Sequence, residues 1–305
     1  MRRVPALART LITAWLISLA PALSLAEPPA QPPALKVPQA LIEHSVSQDY
    51  FLQLLKRALA AGANGRAVPD LVETTLVGQE RAIHELVRGE LLDIYWLGTS
   101  ADREGRLRAI PIPLDRGLLG FRRFIIRRDM AEQFDSVMDL QDLQKFTACQ
   151  GLSWPDTRIL REAGLRVVEL AGYETLYRAV TARRCDYYPR GYHEAFREIA
   201  RHQANYPELT TYESLILYYP FTAYYFVSQQ NEELAEWVER GLEQMIASGE
   251  FMAFMQQHPF TSPVFPLGSG PDDRWIFLGN PILPENTDYK NPRYWFRPKD
   301  FIFDK

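Results

Sequence analysis

Apolar residues recur at helical spacing from Tyr50 to Ala61, where Phe51, Leu52, Leu54, Leu55, Ala58 and Leu59 form one stripe. Gln79 to Arg88 repeats the pattern with Ala82, Ile83, Leu86 and Val87, and Gly89 supplies a stop. A third and longer stripe, Glu232 to Ser248, carries Leu234, Ala235, Val238, Leu242, Met245 and Ile246 and ends at Gly249. Between the stripes lie short apolar runs of strand length: Leu71–Val77, Leu91–Leu97, Arg122–Ile126, Phe146–Cys149, Val167–Leu170 and Cys185–Tyr188. Tyr173–Ala182 adds another helix. The helix start after Gly151-Leu152-Ser153-Trp154-Pro155-Asp156 has Ser153 as a candidate cap and proline in its first turn. Strands and helices alternating at this length predict an α/β protein with mainly parallel sheets.

The two ends differ from this pattern. Met1-Arg2-Arg3 and Arg9 precede an apolar run from Leu11 to Leu25, and Ser24-Leu25-Ala26 ends it with small residues. This is the pattern of a secretory signal peptide over residues 1–26, cleaved near Ala26, and the expected location is the periplasm. Cleavage removes three arginines and no acid, moving the formal charge from −4 to −7. Residues 27–37 read as an extended, proline-stiffened leader. From Pro259 onward the chain is rich in proline, glycine and aromatics, and is expected to wrap a lobe surface as irregular structure.

Mild acidity argues against nucleic acid as a partner. His44, His84, His193, His202 and His258 fall at no metal-ligand spacing, so neither metal nor cofactor is expected. Cys149 and Cys185 are either a disulfide or two buried thiols. No nucleophile motif or phosphate loop is present, so catalysis is not expected.

Four stretches, in order, resemble the extracellular solute-binding proteins of the amino-acid-binding class (family 3), as a divergent branch. They are Gln79–Trp96 leading into Gly98-Thr99-Ser100-Ala101-Asp102-Arg103; Asp139-Leu140-Gln141-Asp142-Leu143 before Cys149-Gln150-Gly151; Arg184-Cys185-Asp186-Tyr187-Tyr188; and Asn231-Glu232-Glu233-Leu234-Ala235 through Phe251. The resemblance implies a two-lobed type II periplasmic binding fold with two hinge strands. Lobe 1 would be 38–120 plus 224–305 and lobe 2 would be 121–223, with crossings at Gly117–Gly120 and Tyr219–Phe221. It also implies a small carboxylate-bearing ligand and an inner-membrane ABC permease or a membrane sensor as partner; a monomer is expected because nothing in the sequence demands an oligomer. A less favoured alternative is a cyclohexadienyl-dehydratase-like enzyme, with Asp186, His193 and Glu194 as the nearby acid–base candidates.

In this likeness Ser100 and Arg103 match the Thr/Ser-x-x-Arg motif that holds a ligand carboxylate. A guanidinium fork suits that group bidentately. The Gly151–Ser153 turn, with Ser153 and Trp154, is a second candidate, because backbone N–H groups at a helix start attract anions. Where many relatives place an acid for the ligand ammonium, this chain has Pro189-Arg190-Gly191. Arg190 therefore points to a dicarboxylate or another anion, unless it is structural or an acid such as Asp49 serves an amine. Tyr50, Trp96 and Tyr188 are candidate aromatic walls.

Overall fold

The computed structural model describes residues 32–39, 45–75, 78–270 and 272–301. The signal-peptide reading and its cleavage point fall outside these residues. In chain order the elements are β1 (Leu35–Pro38), α1 (Ser45–Ala61), β2 (Leu71–Thr74), α2 (Gln79–Arg88), β3 (Ile94–Gly98), α3 (Ala101–Arg106) and β4 (Arg108–Ile110). They continue with β5 (Phe121–Arg127), α4 (Ala131–Asp135), α5 (Leu140–Leu143), β6 (Thr147–Gly151), α6 (Pro155–Glu162), β7 (Arg166–Leu170), α7 (Tyr173–Thr181) and β8 (Tyr187–Gly191). The last are α8 (Ala195–His202), β9 (Leu209–Tyr218), β10 (Ala223–Val227), α9 (Glu232–Ser248), α10 (Glu250–Gln257) and β11 (Arg274–Phe277).

The architecture is a two-lobed α/β fold. One sheet runs β3-β10-β4, with the parallel pair β1-β2 forming a separate ribbon. The other has six strands in the order β11-β9-β5-β8-β6-β7. Each larger sheet contains one reversed strand. β10 is antiparallel to both β3 and β4, and β5 to both β8 and β9, so the three-stranded sheet is antiparallel and the six-stranded one mixed, rather than both mainly parallel. Both reversed strands directly follow a passage of the chain from one sheet to the other. The segment 117–120 leads into β5, and 219–222 leads into β10.

Alternation places the core. Along β10, Ala223, Tyr225 and Val227 join a core with α1, α9 and α10, while Tyr224 and Phe226 join another with Ile83 and Leu86 of α2. α1 and α9 approach closely at Gly241, where a Cβ would lie 1.8 Å from the Ala58 carbonyl oxygen. The six-stranded sheet is covered on both faces. Phe124, Ile126, Ala148 and Tyr187 pack with Ile159 and Leu160 of α6. Ile125, Cys149 and Tyr188 pack with Leu176 and Val180 of α7. Cys149 and Cys185 are joined as a disulfide inside that second core, with Cα atoms 5.6 Å apart.

Three sequence expectations are corrected here. The end of the proline-rich leader is a packed strand, β1, whose Val37 is fully buried. The strand read as Cys185–Tyr188 begins at Tyr187 and continues through Pro189 to Gly191. The aromatic tail is not wholly irregular, since β11 extends the six-stranded sheet beside β9 at Leu215–Tyr218. A proline usually ends a strand because it cannot donate to the ladder, which is why Pro189 concealed the extent of β8.

Candidate functional site

α3 is capped by Ser100, whose hydroxyl accepts from the Arg103 N–H at 3.2 Å. That cap fixes the first turn and places the Arg103 side chain inside the protein, 4% exposed. The Arg103 guanidinium donates to the Gly98 carbonyl at 2.7 Å and to Gln79 Oε1 at 2.9 Å. It also reaches the Ser153 carbonyl in the β6–α6 turn at 3.4 Å. All three acceptors are uncharged. Burial lowers the Arg103 pKa, and the charges of Glu80 and Asp156 oppose that effect. Ser100, Arg103 and Ser153 are thus brought together between the two sheets.

The turn itself differs from the expected anion cradle. α6 is capped by Trp154 with no side-chain cap bond, and Ser153 lies in the left-handed region at φ 64°. The Leu152 N–H donates to the Leu170 carbonyl and the Trp154 N–H to the Gly151 carbonyl, so these donors are already used. The Trp154 indole lies on Gly151, where a Cβ would sit 2.3 Å from the ring. Asp156, in the first turn of α6, is buried and paired with Arg122, and accepts from the Tyr219 hydroxyl at 2.6 Å. The helix start therefore already has its own carboxylate.

Arg190 is buried and neutralised. Its Nε donates to both carboxylate oxygens of Glu198, at 3.0 and 2.8 Å, and Glu194 Oε2 lies 3.1 Å from Nη2. Its guanidinium carbon is 5.2 Å from the Trp154 and Tyr188 ring centroids and 5.7 Å from that of Tyr173. Burial alone would raise the Glu194 pKa, but the charges of Arg190, His193 and Arg122 hold it down to about 2. Burial raises Glu198 above the usual carboxylate range despite its contact with Arg190. Arg190 thus adds no unpaired positive charge to the cleft.

Of the other candidates, Tyr188 belongs to this cluster and the rest lie apart from it. Tyr50 is fully buried among Phe254, His258 and Phe260, and its hydroxyl donates to the Leu114 carbonyl at 2.7 Å. Trp96 stacks on Phe51 in the same core. Tyr188 is also fully buried, beneath Arg190. Asp49 is engaged by His258 at 3.1 Å, and Asp186 accepts from the Thr147 N–H at 2.8 Å.

Sequence reasoning missed Arg122 and Glu198, and placed Asp156 at the start of α6 without its arginine partner. Two arginines opening an apolar strand, Arg122-Arg123, were the available signal for buried charge. Arg190, Glu194 and Glu198, each four residues apart, were the signal for the acidic pair. A small cavity of about 110 Å³ lies beside this cluster, lined by Val46, Tyr173, Glu194, Arg197, Glu198 and Phe260 among others.

The fold is that of the type II periplasmic binding proteins. No protein-family model and no curated protein sequence matches the chain. Among solved structures it is similar to an ancestral arginine-binding protein bound to arginine: 14% identity, TM-score 0.55, 74% of this chain and 97% of the other. It is similar to a histidine kinase sensor domain resembling periplasmic binding proteins, at 15% identity and TM-score 0.53, over 75% and 96% of the two chains. It also resembles an ancestral amino-acid-binding protein described as a precursor of cyclohexadienyl dehydratase: 13% identity, TM-score 0.51, coverage 74% and 94%. At these identities the likeness establishes the fold.

Proposed function

We propose that this chain is an extracytoplasmic binding protein that holds a small carboxylate-bearing molecule of amino-acid type between its lobes and delivers it to an ABC permease. The carrying observation is Arg103, a buried guanidinium whose described hydrogen bonds all go to uncharged oxygens, one of them across the cleft. A buried cation is stabilised far more by an anion than by neutral acceptors, so a ligand carboxylate is the partner its environment favours. Opening the lobes would release the Ser153 contact and free one side of the fork. The Asp156 and Glu194–Glu198 carboxylates already have arginine partners, which leaves Arg103 as the anion-seeking group of the cluster.

In this reading lobe 1 comprises 38–120 with most of 224–305 and lobe 2 comprises 121–223, with β11 as a loan from the carboxyl end to the second lobe. The lobes rotate about 117–120 and 219–222, and closure buries the ligand. Binding rather than catalysis is the role. Of the acid–base candidates, Asp186 is committed to a backbone amide and Glu194 to Arg190. Export through residues 1–26 supplies the compartment.

The test is native mass spectrometry of the protein purified from periplasm without refolding, followed by calorimetry with the molecule it retains. Arg103→Ala is expected to lose the bound mass and to weaken affinity about 30-fold, or ~2 kcal/mol. Equal affinity in the folded variant would exclude the carboxylate-anchor role.

A further inference from the structure

We propose that Trp154, Tyr173, Tyr188, Glu194 and Glu198 form a guanidinium site that the protein fills with its own Arg190, so that an external guanidinium compound enters only when this side chain is removed.

The five groups come from separate places in the chain: the turn before α6, the start of α7, β8, the residue before α8, and α8 itself. A simple ion pair needs no such convergence. All three rings have their centroids within 5.7 Å of the Arg190 guanidinium carbon, inside the ~6 Å range of a cation–π contact. Glu198 spans Nε and Nη2 of the planar fork, and Glu194 Oε2 lies 3.1 Å from the same Nη2. The Tyr177 hydroxyl donates to Glu198 Oε2 at 2.9 Å, and the Gly191 N–H to Glu194 Oε2 at 2.9 Å, so both carboxylates are oriented by further bonds. Aromatic faces together with paired carboxylates select a flat, weakly hydrated cation over a compact ammonium.

The occupant is tethered by its own strand. Arg190 and Tyr188 are two residues apart on β8 and therefore on the same face of the sheet. Its backbone pairs with that of Arg123 in β5, which fixes where the side chain leaves the strand. Removing the side chain leaves two carboxylates for one missing cation in a buried setting, a strong demand for a replacement. Two nearby arginines are engaged elsewhere. Arg122 is paired with Asp156, and Arg197 donates to the Pro259 carbonyl.

The self-filled cage stands whether or not Arg103 takes a carboxylate. Its consequence for specificity rests on the proposed binding role: with Arg190 in place, this part of the second lobe gives a ligand's cationic group no unpaired acid, and Arg190 excludes ligands that need one there.

The experiment compares thermal unfolding of the full chain and Arg190→Ala in low millimolar guanidinium chloride against equal sodium chloride. The variant is expected to gain a saturable rise in Tm of about 3 °C at ten times the dissociation constant, while the unaltered protein gains none. Hexamethylguanidinium, which carries the charge but has no N–H donor, is expected to give no rise, a discrimination that general stabilisation by salt does not produce. A folded variant without a guanidinium-specific rise overturns the proposal, as does an equal rise in the unaltered protein. Should Arg190→Ala not fold, Arg190→Ala/Glu198→Gln, with one buried charge fewer, is read by the same criteria. Because the probe carries no carboxylate, this result is independent of the Arg103→Ala test.

Discussion

His193 is packed edge-on against Phe260, their centroids 4.6 Å apart, and faces the charges of Asp115, Glu194, Arg122 and Arg190. Burial lowers its pKa, and the neighbouring carboxylates only partly counter that effect. The unfolded chain therefore binds a proton at His193 more readily than the folded one. Its contribution to stability is complete above the ordinary histidine value of about 6.5 and is lost as pH falls from there through the lower folded value. Asp115 and Glu198, raised by burial, act in the opposite sense, since acidification relieves their charged cost in the fold. The histidine is isolated by comparison. The denaturation midpoint of the unaltered protein should fall more steeply than that of His193→Gln between pH 7.5 and 5.5, with the difference at most about 1.4 kcal/mol per pH unit. Parallel profiles would show that His193 titrates alike in both states. Nothing in its sequence neighbourhood revealed this burial, because Asp115 and Phe260 reach it from distant parts of the chain. Arg103 was legible as a candidate through the family motif that Ser100 and Arg103 resemble, but its Ser100 cap and its neutral acceptors Gln79 and Ser153 were not.

Helices that end at a glycine were read well from sequence. α2 and α9 have the bounds their periodicity predicts, and Gly89 and Gly249 both take the left-handed conformation at their C-termini. Strands fared less well. β9 and β10 are buried for much of their length and carry little alternation to betray them, and β11 makes sense only beside β9. The Cys149–Cys185 bond is an element-level link too, joining β6 to the approach to β8 across a loop of 36 residues. Its formation turned on a Cα separation that sequence does not reveal. Reducing the bond, or replacing both cysteines by alanine, should lower unfolding stability by about 3–4 kcal/mol in urea. A loss under about 1 kcal/mol would mean that the core around Leu176 and Tyr188 holds these strands in register without it.

At the scale of the whole molecule, the carboxyl-terminal tail spans both passages between the sheets. Asn280 Nδ2 donates to the Pro220 carbonyl at 2.7 Å, and the Arg116 guanidinium donates to the Pro292 carbonyl at 2.7 Å. Trp295 packs on Gly117, where a Cβ would be 2.5 Å from its ring, and Phe301 stacks on Phe121 at 4.2 Å. Asp273 holds buried Arg123 at 2.9 Å, and the Ala101 N–H donates to the Ile282 carbonyl at 2.8 Å, so the strap grips both lobes. Lobe opening should therefore be restrained by the tail. Asn280→Ala/Trp295→Ala is expected to speed amide exchange at 117–121 and 218–222 about 10-fold, and unchanged exchange would remove the tail from hinge control. By itself the sequence determined the α/β class and the three helical stripes, because periodicity and glycine stops act over a few residues, while the two lobes were what the family resemblance implied. Tertiary structure decided which charges meet. Arg190 went to Glu194 and Glu198, Arg122 to Asp156 and Arg123 to Asp273, while Arg103 was left with neutral oxygens. The physical reason is that a buried charge must find its partner in space, and several of these partners lie far away along the chain.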